Sequence, residues 1–111
     1  MSAKEVQLSV TLPSGMHEKV RDIAQARTDT DGHPVTMGDI YSAAIGALTT
    51  RLDQGEEIVF ASHPRGGVSR ASIRVDELAA EQITRRLQFT TQSSFVATAI
   101  RHYLTTETDH A

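Results

Sequence analysis

The sequence predicts a mainly α fold with a two-stranded antiparallel β-ribbon, and three observations carry that expectation. Two short runs alternate apolar and polar residues with period two. Each run is followed by two stretches with the 3.6-residue spacing of amphipathic helices. The two strand–helix–helix units also superpose by simple numerical offsets. At 111 residues, one domain with a modest core is expected.

The first run is VQLSVTLP, in which Val6, Leu8, Val10 and Leu12 alternate with Gln7, Ser9 and Thr11 before Pro13. The period then changes. Met16, Val20, Ile23 and Ala24 recur at helical spacing behind Ser14, a residue of N-cap type. The turn formers of TDTDGHP predict that this helix stops near Arg27. A second helix, TMGDIYSAAIGALTTRLDQG, sets Ile40, Ala44, Ile45, Leu48 and Leu52 on one face and stops at Gly55.

The same order returns in the second half. In SRASIRVD, Ala71, Ile73 and Val75 alternate with Arg70, Ser72 and Arg74. Asp76 is a good N-cap for ELAAEQITRRL, whose apolar stripe is Ala79, Ile83 and Leu87. Thr90, Thr91, Ser93 and Ser94 punctuate, and FVATAIRHYL turns Phe95, Ala99, Ile100 and Tyr103 or Leu104 inward.

Adding 63 maps Leu8, Val10, Leu12 and Val20 onto Ala71, Ile73, Val75 and Ile83. Adding 55 maps Ile40, Ala44 and Ile45 onto Phe95, Ala99 and Ile100, so the first helix–helix loop carries an eight-residue insertion. The domain is thus one unit of residues 1–111: a first repeat at 6–54, a linker at 55–68, a second repeat at 69–105 and a tail at 106–111. A lone strand is unstable. Strand 6–12 is therefore expected to pair antiparallel with strand 70–75 about Ser9 and Ser72, setting Gln7 opposite Arg74 and Thr11 opposite Arg70. The 15 residues from Gly55 to Ser69 are long enough for pairing within one chain, which is expected, and do not force a swap between chains. Val10, Ile40, Ile45, Ile73, Phe95 and Ile100 are the expected core.

Composition narrows the function. Without cysteine there is no disulfide scaffold, thiolate metal site or cysteine nucleophile. No apolar run approaches a membrane span and no signal-peptide core follows the start, so a soluble cytoplasmic protein is expected. Net charge is −3, but residues 1–57 carry −4 and residues 58–111 carry +1. Within SHPRGGVSRASIR there are three arginines and no acid, so the basic character is local.

A short strand, two helices and an obligatory second copy resemble the ribbon-helix-helix (MetJ/Arc-type) DNA-binding family. The resemblance rests on QLSVTLP and VTMGDIYSAAI in the first copy and on SIRVD and SSFVATAIRHYL in the second, and covers roughly 6–54 and 69–105. It implies a tandem pseudo-dimer in one polypeptide, a form known among plasmid-encoded regulators. It also implies that the polar ribbon face enters the major groove. Gln7, Ser9, Thr11, Arg70, Ser72 and Arg74 would then contact bases. The starts of the second helices would hold phosphate: Thr36, Met37 and Gly38 in one copy, Thr91, Gln92, Ser93 and Ser94 in the other. The first strand departs from this pattern in having no basic residue on its polar face, Lys4 lying just outside, which implies an asymmetric site.

The expected function is sequence-specific binding of double-stranded DNA as a transcriptional regulator, with no cofactor, no small-molecule substrate and no membrane. An accessory subunit of a plasmid-transfer or DNA-processing complex and an antitoxin-type interaction module are the alternatives, the short tail LTTETDHA speaking against the last. None of His17, His33, His63, His102 and His110 forms a metal-binding pair, and no nucleophile–base set can be assembled, so an enzyme is not expected. Arg85, Arg86 and Arg101 are assigned to solvated helix faces, and Arg65 to the linker. The apolar segment EEIVFAS, residues 56–62, has three open readings: a cover for the core, an extra strand, or a contact for self-association through residues 57–61.

Overall fold

Two nine-residue strands pair antiparallel, β1 (Glu5–Pro13) with β2 (Val68–Asp76), in a register running from Glu5 opposite Asp76 to Pro13 opposite Val68. Its centre is Ser9 opposite Ser72, with Gln7 opposite Arg74 and Thr11 opposite Arg70. Pairing and register are those expected, and each strand is a residue or two longer at its ends. The computed structural model describes residues 5–60 and 67–109, with side chains through Thr105. Lys4, His63, Arg65 and His110 lie outside the described residues.

The element order is β1, α1 (Met16–Asp31), α2 (Met37–Asp53), β2, α3 (Glu77–Arg85) and α4 (Gln92–Asp109). The inner ribbon face is buried in the same rhythm on both strands: Val10 and Leu12 match Ile73 and Val75, while Leu8 and Ala71 are both half-buried. Every further pair related by the offsets is buried too: Val20 and Ile83, Ile40 and Phe95, Ala44 and Ala99, Ile45 and Ile100. All six expected core residues are in the core, joined by Tyr41, Leu48 and Val96. The helices α2 and α4 pack against each other, α2 also against β2 and α4 against β1. This gives a marginal ribbon its supporting layer.

The helix boundaries required corrections. The first helix does not stop near Arg27 but continues to Asp31, where Gly32 takes the left-handed conformation (φ 76°) and its N–H returns to the Thr28 carbonyl. The Thr28 hydroxyl donates to the Ala24 carbonyl and accepts from the Val35 N–H, so a turn-type residue is used inside the helix to fasten the loop beyond it. Ser14 is not the cap. Gly15 occupies that position, and the Ser14 N–H is spent on the Gly67 carbonyl at the ribbon's end.

The third helix ends at Arg85, and Leu87 lies in the following turn with 48% of its surface exposed, so it is no part of an apolar stripe. There the N–H groups of Arg86 and Leu87 bond to the carbonyls of Ile83 and Thr84, closing the helix before Leu87 completes another turn. Asp76 does cap α3, accepting from the Ala79 N–H at 2.7 Å.

The apolar linker covers the core. Ile58 and Phe60 pack against it, and Phe60 stacks on Phe95 with centroids 6.0 Å apart. Val59 points away, 81% exposed, its carbonyl held by Arg101 at 2.9 Å. The segment 56–60 forms no strand, and residues 61 and 62 lie outside the described residues. Arg86 also differs from its assignment. Its side chain, just past the end of α3, is 19% exposed and reaches Gln82 on that helix and Asp53 at 3.4 Å, tying α3 to the end of α2. Arg85 is a solvated residue paired with Glu81 at 2.6 Å.

Candidate nucleic-acid interface

Alternation along a pleated strand puts every second side chain on the same face. Because Leu8, Val10, Leu12, Ala71, Ile73 and Val75 face the helices, Gln7, Ser9, Thr11, Arg70, Ser72 and Arg74 are all set on the outer face, and all six are exposed. The Gln7 amide donates to the Ser72 hydroxyl at 2.7 Å, a diagonal cross-strand link that stiffens the middle of the face. Among the described residues, neither the Arg70 nor the Arg74 guanidinium has an ion-pair partner.

The face is longer than the six residues read from the sequence. Glu5 shares it at one end and Val68, 51% exposed, at the other. Both follow from carrying the alternation two residues further, a signal that was present but lay outside the assumed strand limits. The two ends differ in character. Gln7 and Arg74 are bordered by Glu5 and Asp76, while Thr11 and Arg70 are bordered by Pro13 and Val68.

The starts of α2 and α4 lie beside the ribbon, one against each strand. Thr36 caps α2 through a reciprocal pair of bonds: its hydroxyl accepts from the Asp39 N–H at 3.1 Å, and the Asp39 carboxylate accepts from the Thr36 N–H at 2.9 Å. Thr91 does the same work on α4, its hydroxyl accepting from the Ser94 N–H at 3.1 Å. The offset of 55 relates Thr36 to Thr91 and Asp39 to Ser94, so the caps correspond while their charge does not. Each helix has orphan N–H groups in its first turn. At α2 these sit next to a carboxylate, and at α4 next to hydroxyls.

Gly38 is demanded by packing. A Cβ there would come within 2.6 Å of the Arg74 carbonyl oxygen, so only glycine lets α2 approach β2 this closely. On the other side, the Ser93 hydroxyl accepts from the Thr11 N–H at 2.9 Å and the Gln92 amide donates to the Ser9 carbonyl at 3.0 Å. These two side chains bond two backbone groups on the free edge of β1. Sequence reading assigned Gln92 and Ser93 to a ligand. Their contact with the ribbon depends on tertiary docking and carries no local signature. On the β2 side, the Ser42 hydroxyl accepts from the Asp76 N–H at 2.9 Å. Met37 is half-buried, packed against the core.

At the edge of the face, an open groove of about 390 Å³ is lined among others by Glu5 of β1, His17 of α1, Gly38 and Tyr41 of α2 and Arg74 of β2. Tyr41 is buried, and its hydroxyl meets His17 Nδ1 at 2.7 Å with the rings stacked. Burial, helped by the Glu18 charge, pushes the Tyr41 hydroxyl's pKa far above its ordinary value, so it stays protonated. At the far ends of α2 and α4, His102 Nδ1 lies 2.9 Å from Arg51 Nη1. Burial first, then the charges of Arg51 and Arg101, lower its pKa, with Glu56 opposing. Among the described residues, no three His, Asp or Glu side chains group as metal ligands, and no helix is long and apolar enough to cross a membrane.

No family model, curated protein or solved structure matches this chain.

Proposed function

We propose that the chain is a sequence-specific double-stranded DNA-binding protein, a tandem ribbon-helix-helix pseudo-dimer that sets its β-ribbon in the major groove and acts as a transcriptional regulator. The observation that carries this reading is the outer ribbon face, where two exposed arginines, without ion-pair partners among the described residues, stand among Gln7, Ser9, Thr11 and Ser72. Neighbouring strands are ~4.8 Å apart, and the major groove is ~12 Å wide and admits a two-stranded ribbon. Arginine bonds guanine O6 and N7 through two N–H groups, glutamine bonds adenine N6 and N7, and serine or threonine serves several bases.

In this mechanism the helix starts supply position and the ribbon supplies choice. The first-turn N–H groups of α4, and of α2 to the extent that Asp39 permits, hold the phosphates on either side of the ribbon. No cofactor enters. The ligand is the duplex itself, and regulation is by occupancy.

Fluorescence anisotropy with a labelled pool of random-sequence duplexes, titrated with the protein at about 50 and 200 mM salt, tests the reading. Binding whose logarithm falls linearly with log salt, and which sharpens on a selected duplex, is expected. The absence of binding to any duplex at the lower salt concentration would sink it.

A further inference from the structure

Both base-reading cations stand on one strand of the ribbon. Arg70 and Arg74 belong to β2, and the outer face of β1 offers Gln7, Ser9 and Thr11 with Glu5 at its end. Two identical strands related by a dyad would carry equal numbers of arginines, whereas here β2 has two and β1 has none. From this we infer that the preferred duplex is non-palindromic, with its two guanine contacts on the same DNA strand, roughly three to four base pairs apart. The inference rests on the major-groove reading proposed above and names the class of sequence that reading would select.

The offset of 63 that superposes the two copies also relates Ser9 to Ser72, the pair at the centre of the register, so the pseudo-dyad passes between those two residues. Arg70 and Arg74 lie on opposite sides of it, four residues apart on one strand. At ~3.3 Å per residue that separation is ~13 Å, against an axial rise of 3.4 Å per base in each DNA strand. A ribbon lying along the groove keeps one of its strands nearer each DNA strand. Two arginines on β2 therefore meet the same DNA strand on either side of the pseudo-dyad, and β1 meets its complement with neutral side chains. Glu5 adds to the difference, because a carboxylate accepts from cytosine N4 and repels phosphate. The neutral strand is in turn flanked by α4, whose start carries Ser94 where α2 carries Asp39.

Selection of bound duplexes from a random pool, run with the full chain and with the double variant Thr11→Arg, Arg70→Gln, tests this. The variant keeps the net charge and carries Gln-Ser-Arg on the outer face of both strands, which makes the six central side chains equivalent under the offset of 63 and leaves Glu5 and Asp76 at one end. Thr11 is exposed and holds Ser93 through its backbone N–H, a contact that the new side chain leaves in place. The parent chain is expected to enrich a non-palindromic motif with two guanines on one strand, and the variant a palindrome with one guanine on each. Changing either guanine should cost the parent roughly tenfold or more in affinity. A palindrome enriched by the parent chain, or an unchanged motif from a variant with the parent's circular dichroism, would overturn the inference and leave DNA binding standing. No enrichment by the parent chain would overturn both.

Discussion

The Thr11 N–H donates to the Ser93 hydroxyl at 2.9 Å, fastening the free edge of β1 to the start of α4. The offsets of 63 and 55 carry this pair onto Arg74 and Gly38, where backbone meets backbone with no room for a side chain. Both contacts run from the strand of one half to the last helix of the other, the first made by a hydrogen bond and the second by close backbone contact.

Gly38→Ala is expected to destabilise the fold by ~1–3 kcal/mol, since its methyl group must push α2 off the Arg74 carbonyl. Gly46→Ala is the control. It lies in the exposed middle of α2, where among the described residues nothing beyond the helix's own neighbouring backbone comes within 4 Å of the added carbon, and the change should stabilise by ~0.5–1 kcal/mol. Urea unfolding followed by circular dichroism compares the two; equal midpoints would refute the contact.

Ser93→Ala removes the acceptor for the Thr11 N–H and should cost ~1 kcal/mol, while Ser93→Thr should restore most of it. Hydrogen exchange at Thr11 reads the bond directly. Faster exchange in the alanine variant is expected, and unchanged exchange would exclude the bond.

Phe95→Ala should cost ~3–5 kcal/mol, because the ring is fully buried and also holds Phe60 of the linker over the core. That is a large share of the stability of a domain this size. Calorimetry is the check, and a variant melting with the parent would contradict the packing.

Arg74→Ala should weaken binding to the preferred duplex by ~1–3 kcal/mol and relax choice at one base position. Binding to scrambled DNA should fall less, since phosphate contacts set that quantity. Arg85→Ala, on a solvated face and paired only with Glu81 among the contacts described for it, should bind both duplexes as the parent does. Anisotropy on the two duplexes separates these outcomes.

Stability should decline on acidification because of His102. Burial and the nearby arginines lower its pKa from the ordinary 6.5, so the unfolded chain takes up a proton more readily than the folded one. Its contribution is fully present above pH 6.5 and is lost as the pH falls below that value toward the lowered pKa of the folded state. Denaturant midpoints measured from pH 7.5 to 5 should therefore fall, and His102→Gln should flatten the part of that decline due to this ring.

The strand register was legible because two signals agreed. The period-two pattern fixed which face is buried, and the repeat fixed Ser9 opposite Ser72. The six expected core residues were legible for the same reason: they form three pairs under the offsets, Val10 with Ile73, Ile40 with Phe95 and Ile45 with Ile100. Helix ends were not. Thr28 is a turn former by composition, yet it serves inside α1 through a bond to Ala24 that only the assembled loop makes useful. Arg86 reads as a surface residue until Asp53 arrives from another helix. Of the candidate site, the six outward side chains of the ribbon could be placed from alternation alone. The docking of Gln92 and Ser93 on β1 could not, because it depends on how α4 meets a strand more than 80 residues earlier.

Both strands of the ribbon belong to one polypeptide, joined through α1, α2 and the linker. In a protein whose ribbon forms between separate chains, dilution pulls the fold apart, and the melting temperature depends on protein concentration. Here each strand sees the other at an effective concentration set by the chain itself. Thermal unfolding should therefore have the same midpoint across a hundredfold range of concentration. A few molecules per cell would be as well folded as many, and a single base change in the gene would alter one edge of the ribbon while leaving the other as it was.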